Sequence, residues 1–397
     1  MIPLEEARAY VLSLAEPLGI RQVPLDGALG LVLAEAIVAG ESVPPFANTA
    51  MDGFAVRAAD TAPGAGLRVV GTVAAGSVFD GEIGPGEAVR IMTGAPMPAG
   101  SDAVVMVELT STEGDEVVVG RAVPVGNHVR PAGDDMSPGD LVAEAGIEIT
   151  PGVLGLLATL GRADVAVIRR PRVGVISTGD ELVDGPGPLG RGQIRDSNRR
   201  AVLALVSEMG AEGVDLGLIR DHEASIEAAL LGATAECDLV LSSGGVSMGD
   251  FDFVKVVLDR IGEMRWMQVA IRPAKPLAVG RVLDTPIIGL PGNPVSSMIS
   301  FELFARPAIR AMGGHRQLDR PRLLARAAAD FERSADGKVH VVRALLEQSP
   351  DHRWSVRPLR GQGSHHISSM AVATGLVVLP DGEGAAAGED VVVVPLA

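Results

Sequence analysis

The chain has 397 residues, 47% of them apolar, and a formal charge of −16. That length supports two to four domains with sizeable cores. The acidity, with only eight Phe, two Trp and one Tyr, argues against general nucleic-acid binding, which needs a basic surface and stacking platforms. A single cysteine, Cys237, rules out a disulfide framework and fits a reducing cytoplasm. No uninterrupted apolar run reaches membrane-spanning length, so no membrane association is expected. The seven histidines lack the spacing of a zinc site.

Leu4, Ala7, Val11 and Leu14 recur at helical spacing, which predicts an amphipathic helix over residues 3–18, closed by Gly19. From about residue 40 short valine-rich runs at 68–73, 88–92, 103–107 and 116–119 are punctuated by Gly and Pro, the texture of β structure with tight turns. Helical character returns near 141–168, with Pro151 placed to open a helix and Gly161 to end it. From residue 170 the chain alternates. Strands are predicted at 172–177, 214–219, 238–242, 264–271 and 286–290. Helices are predicted at 198–209, 224–235, 252–261 and 294–312. Such alternation builds a parallel sheet covered on both faces. After Pro321 the texture is β again.

Ligands of open parallel sheets bind beyond the carboxyl ends of the strands. Four polar loops fall at such ends: Ser177-Thr-Gly-Asp180-Glu181, Ser242-Ser-Gly244-Gly245-Val-Ser247, Arg272-Pro-Ala-Lys275-Pro and Leu290-Pro291-Gly-Asn-Pro294. Gly244 and Gly245 let backbone amides approach an anion, and the flanking serines add donors. Asp180, Glu181, Asp250 and Asp252 repel a bare phosphate but suit Mg²⁺, which bridges carboxylates to phosphate oxygens. Arg272 and Lys275 bring positive charge. The composite is a site for a phosphorylated ligand with a divalent cation. Any one of these loops, taken alone, reads equally well as a simple turn.

Two short motifs lead elsewhere and are set aside. Gly185-Pro-Gly-Pro-Leu-Gly190 fits G-x-G-x-x-G, but its prolines and the lack of a following helix spoil a dinucleotide reading. Gly245-Val-Ser247-Met-Gly249 fits a hydrolase elbow. However, Asp250 and Asp252 would place negative charge where an oxyanion must form.

The stretches N-T-A-M-D-G-F-A-V, R-I-M-T-G-A-P-M-P, S-T-G-D-E-L, I-R-D-S-N, S-S-G-G-V-S-M-G-D-F-D, I-R-P-A-K-P, L-P-G-N-P-V-S and G-Q-G-S-H run in order from residue 48 to residue 365. Together they resemble the molybdopterin molybdenumtransferase family, which includes the E domain of gephyrin. The resemblance implies a multidomain α/β protein. Residues 1–39 and 141–168 would form a mixed, discontinuous N-terminal domain and 40–140 a β-rich insertion domain. A doubly wound parallel-sheet domain would span 169–315, and a C-terminal β-barrel 316–397.

By the same resemblance the activity is insertion of molybdate, a substrate, into adenylated molybdopterin, with Mg²⁺-dependent release of AMP. Asp180, Glu181, Asp221 and Asp252 map to acidic, metal-associated positions. Ser242, Gly244, Gly245 and Ser247 map to the nucleotide phosphates or pterin. Lys275 matches a loop lysine, Arg272 stands where lysine is usual, and Phe54 replaces a frequent tyrosine. Pro291 and Pro294 match a proline pair. Arg343 and Ser364 match positions near the oxyanion.

Asp52, Thr93 and Asp135 match insertion-domain positions that reach the other subunit's site. A homodimer is therefore implied, and the adenylyltransferase of the same pathway is a candidate partner. Two other activities stay open from the sequence: adenylation of molybdopterin, and a non-catalytic scaffold of the same fold.

Overall fold

The structure is a computed structural model, and it describes residues 1–246 and 253–396. At its centre lies a six-stranded sheet. Its order is Glu212–Ile219, Arg172–Thr178, Leu239–Ser243, Thr285–Leu290, Pro276–Val282 and Gly262–Gln268. The first four strands are mutually parallel. The inner three are fully buried along their middles, as continuous Val/Ile/Leu runs require when both faces are covered, while the edge strand Glu212–Ile219 is only partly buried.

The sheet departs from the parallel expectation at one strand. Pro276–Val282 runs antiparallel to both of its neighbours. The sequence hides it because it opens on a proline and contains Gly280. Proline is tolerated as the first residue of a strand. A Cβ at Gly280 would lie 2.0 Å from the Glu263 carbonyl, so the adjoining strand needs the bare backbone there. Because Pro276–Val282 is antiparallel, Gly262–Gln268 points the same way as the four parallel strands. The loop after it therefore emerges on the same rim as theirs.

Helices Asn198–Glu208 and Glu223–Glu236 pack on opposite faces of this sheet, through Val202 and Val206 in one core and Ile226 and Leu230 in the other. The predicted 294–312 helix is one continuous rod with a π-helical turn at Phe301–Ala305. Pro307 lies just beyond that turn. It has no N–H for the Leu303 carbonyl four residues earlier, and a widened turn relieves the clash of its ring. Arg8, from the first helix, donates to that carbonyl at 2.6 Å and to both oxygens of Asp319 at 2.8 Å. This first helix is shorter than its apolar spacing predicts, Leu4–Leu12, because Pro17 pushes Glu16 out of helical geometry. Its Ala7 and Val11 join the core of the central sheet.

Strand Ile20–Pro24 pairs antiparallel with Asp164–Ile168, and Ile37–Val38 with Leu141–Ala143. These pairs and helix Pro151–Thr159, capped by the Thr150 hydroxyl, enclose a separate core around Leu33, Ile149 and Leu157. The chain between them builds a β-rich unit. Its six-stranded sheet runs from Ala103–Met106 to Thr110–Glu113, with apolar cores on both faces.

Near the C-terminus, Leu323–Ala327, Val339–Gln348, Trp354–Pro358, Gly375–Leu379 and Asp390–Pro395 close into a five-stranded barrel. Its long strand also pairs in parallel with Ile271–Arg272, so the loop ahead of Lys275 is hydrogen-bonded into the barrel's sheet. No helix among the described residues is long and apolar enough to cross a membrane.

Candidate active site

The rim of the central sheet holds a cleft of about 440 Å³, walled by Gly179, Glu181, Asp221, Gly245, Phe253 and Pro291. A second lobe of about 300 Å³ shares Thr178, Glu181, Gly244, Gly292 and Asn293 with it and adds Arg195, Asn198, Ser243, Pro294 and His365. Three strand-end loops therefore do converge. The Arg272–Lys275 loop stands beside them. Lys275 lines an adjoining cavity that shares Val246 and Pro276 with the cleft, while Arg272 faces a cavity of about 510 Å³ against the barrel.

The glycines build the cleft by what they omit. Gly245 has φ 71°, and a Cβ on it would lie 2.4 Å from Val254 Cβ. Only glycine lets the following helix pack this close. Gly179 has φ 147°, and a Cβ there would meet the Glu181 carboxylate at 2.7 Å, so Glu181 folds back over bare backbone. The expected role of Gly244 needs correction: its N–H donates to the Leu290 carbonyl at 3.0 Å instead of facing a ligand.

A serine is displaced by one position as well. Ser242 is buried inside its strand, its hydroxyl without a partner among the described residues, and it lines neither lobe. Ser243 reaches the second lobe instead. Successive strand residues face opposite sides, so a one-residue error of register exchanges the two.

The I-R-D-S-N segment braces the rim. Asp196, nearly fully buried, accepts from the Ser177 hydroxyl at 3.1 Å and from the Arg199 guanidinium at 2.9 Å. The Asn198 amide donates to Ser243 Oγ at 2.9 Å and to the Gly292 carbonyl at 2.7 Å, tying two loops together. Sequence reading marked this segment only as part of a resemblance. The signal it offered was an acid followed by a hydroxyl and an amide side chain, Ser197 and Asn198, at a helix start.

Of the acidic set, Glu181 and Asp221 stand on the cleft wall. Asp180 is exposed, 3.8 Å from Arg220, and accepts the Asp221 backbone N–H at 3.4 Å. Asp252 and Ser247 lie outside the described residues. Among the described residues no group of three or more His, Cys, Asp or Glu is placed to hold a metal ion. The donor chemistry nonetheless fits Mg²⁺, which takes one or two protein carboxylates and completes its shell with water and phosphate oxygens.

Arg343 is fully buried. It donates to Ser369 Oγ at 2.8 Å and to the Gly361 and Gly363 carbonyls at 2.8 and 3.1 Å, while Nη1 has no partner among the described residues. Burial pulls its guanidinium below the ordinary arginine value. It thus holds the loop that carries Ser364, whose carbonyl accepts the Val295 N–H at 3.0 Å. Asp52, Thr93 and Asp135 lie in the β-rich unit and line neither lobe. Asp52 accepts from the Thr93 hydroxyl at 2.7 Å and the Thr93 N–H at 2.6 Å. Those two bonds, helped by the nearby Arg90 charge, hold its carboxyl below the usual aspartate range.

A doubly wound sheet with acids, glycines and amides gathered at its carboxyl rim defines a multidomain α/β protein whose cleft lies where such sheets bind their ligands. The MoeA N-terminal region (domains I and II) matches residues 2–161, a probable molybdopterin-binding domain matches 174–311, and the MoeA C-terminal region (domain IV) matches 325–396. The molybdopterin molybdenumtransferase of Haemophilus influenzae is 38% identical over 100% of this chain and 98% of its own length. That of Bacillus subtilis is 36% identical over 96% of this chain and 90% of its own. A crystal structure of a molybdopterin biosynthesis MoeA protein from Pyrococcus horikoshii, 29% identical, superposes with a TM-score of 0.84 over 99% of both chains. The chain belongs to the molybdopterin molybdenumtransferase family.

Proposed function

We propose that this chain inserts molybdate into the dithiolene of adenylated molybdopterin, with Mg²⁺-dependent release of AMP. The observation that carries the reading is the rim cleft, where Glu181 and Asp221 face the glycine-built wall of Gly179, Gly244 and Gly245. Two carboxylates beside an anhydride of two phosphates repel it unless a divalent cation lies between them. Glu181, Asp221, Asp180 and Asp252 are the residues that would hold Mg²⁺, and the ion supplies neutralisation of the phosphate charge when bound.

The chain's own groups do the rest. Ser243, Asn293 and Gly245 position the nucleotide-bearing end, with Pro291 and Pro294 shaping the turn beneath it. Arg272 and Lys275 present fixed positive charge on the flank of the cleft, where the molybdate oxyanion enters. Arg343 and Ser364 set the loop that closes this flank. Asp52, Thr93 and Asp135 act in the cleft of a second copy, which makes the working unit a homodimer of cytoplasmic protein.

The test supplies purified protein with adenylated molybdopterin, Mg²⁺ and molybdate and follows AMP. Release that depends on both Mg²⁺ and molybdate supports the reading. AMP release indifferent to molybdate, or consumption of ATP with free molybdopterin, sinks it.

A further inference from the structure

One side chain in the rim comes from the far end of the chain. Among the described residues lining the two lobes, His365 is the only one contributed by the C-terminal barrel. It faces the second lobe together with Glu181, Arg195, Asn198, Ser243 and Asn293.

The loop that carries it is held firmly. The Ser364 carbonyl accepts the Val295 N–H at 3.0 Å, and Arg343 grips the Gly361 and Gly363 carbonyls. Two glycines clear room for the imidazoles. A Cβ at Gly363 would lie 3.0 Å from His365 Cε1, and one at Gly361 would lie 2.8 Å from His366 Nδ1. The His365 ring stands edge-on to His366, with centroids 4.1 Å apart. Its position is therefore set by backbone anchors just ahead of it in the chain, although the residue itself is exposed.

The other polar groups of this lobe are largely spoken for. Asn198 donates to Ser243 and Gly292, Asp196 accepts from Ser177 and Arg199, and Arg195 donates to the Gly185 and Gly187 carbonyls. The His365 ring has no hydrogen-bond partner among the described residues. A pre-positioned donor in the same lobe as the Glu181 carboxylate, with lining residues shared with the acidic cleft, is suited to an anion that the cleft also holds.

We propose that His365 contacts the substrate directly, its imidazole N–H donating a hydrogen bond to a phosphate oxygen of the nucleotide-activated ligand across the lobe from Glu181. The inference rests on the reading of the rim given above. It goes beyond that reading by making the barrel a contributor to the nucleotide end of the site.

The competing role is packing, with His365 serving only as a ring against His366. Two substitutions separate them. His365→Phe keeps a ring and loses the donor. His365→Gln loses the ring and keeps a donor. Binding of AMP to the full-length protein is titrated by calorimetry, and KM and kcat are measured by AMP release.

Direct contact predicts that His365→Phe weakens AMP binding and raises KM about tenfold or more, the loss expected for one hydrogen bond to a charged group. His365→Gln recovers most of the loss, and melting temperatures stay level. AMP affinity and KM within twofold of the parent in His365→Phe, or His365→Gln as impaired as His365→Phe, overturns the assignment. A parent protein that binds AMP but never releases it from adenylated molybdopterin defeats the proposed reaction, while the AMP titrations still decide His365. A parent that does not bind AMP overturns both.

Discussion

The Arg8 guanidinium donates to the Leu303 carbonyl at 2.6 Å, the carbonyl that Pro307 cannot serve. A residue of the first helix thus completes the hydrogen bonding of a helix that starts nearly 300 positions later, and anchors to Asp319 with its second arm. Arg8→Ala leaves a carbonyl in a buried helix unsatisfied and is expected to cost about 2 kcal/mol, read as a lower urea midpoint. Arg8→Lys recovers only part, because an ammonium cannot reach both acceptors in the fork geometry. An unchanged midpoint for Arg8→Ala would show that water replaces the guanidinium at no cost.

Gly179→Ala tests the seat of Glu181. The added Cβ would lie 2.7 Å from the carboxylate, at a φ of 147° that side chains rarely adopt. AMP release should fall at least as far as in Glu181→Gln, with far-ultraviolet circular dichroism unchanged. Full activity in Gly179→Ala would mean that Glu181 works from another rotamer.

Glu181→Gln and Asp252→Ala each remove one acid of the proposed Mg²⁺ set. Each should lower turnover by about a hundredfold or more, the usual scale for losing one group that acts on charge in the transition state. Raised Mg²⁺ should restore part of the loss. Retained activity in both would place the acidic centre elsewhere.

Asp52 and Thr93 give a pH prediction. The carboxyl is depressed in the folded protein by the Thr93 hydroxyl and amide. A depressed acid favours the fold above its ordinary pKa, and that favour fades as the pH falls through the lower, folded value. Thr93→Val removes the hydroxyl bond and keeps the amide bond. The Asp52 titration followed by NMR should therefore move upward, toward the ordinary aspartate range. No movement would assign the depression to the amide and Arg90 alone.

The proposed sharing of Asp52 between subunits predicts complementation. Asp52→Ala and Asp252→Ala proteins, each inactive alone, should regain activity when mixed under exchange conditions. About a quarter of parental turnover is expected, because half of the dimers are mixed and each of these holds one intact site. Silence in the mixture, with heterodimers demonstrated by mass, would confine both residues to one subunit.

Much of the sheet was legible because its strands are long apolar runs bounded by Gly and Asp. Arg172–Thr178, Leu239–Ser243 and Thr285–Leu290 lie within a residue or two of where their valines and isoleucines place them. Pro276–Val282 was not legible, since its proline and glycine read as loop, and only its pairing with Gly262–Gln268 and Thr285–Leu290 makes it a strand. Within the site, Glu181, Gly245 and Pro291 could be placed on the rim from strand ends alone. The choice of Ser243 over Ser242 depends on strand parity, which a run of five residues does not fix. His365 entered the rim through a loop held by Arg343 and Val295, and contacts of that range leave no trace in local pattern.

The pairing of Ile271–Arg272 with the barrel strand has a dynamic corollary. The Val339 amide is bonded to the Ala270 carbonyl at 2.9 Å, so a ladder crosses from the central sheet to the barrel. The barrel cannot swing away from the sheet without breaking that ladder. The Val339 amide therefore serves as a built-in reporter: its rate of exchange with deuterated solvent measures how often the two units part, and bound ligand that clamps them should slow it.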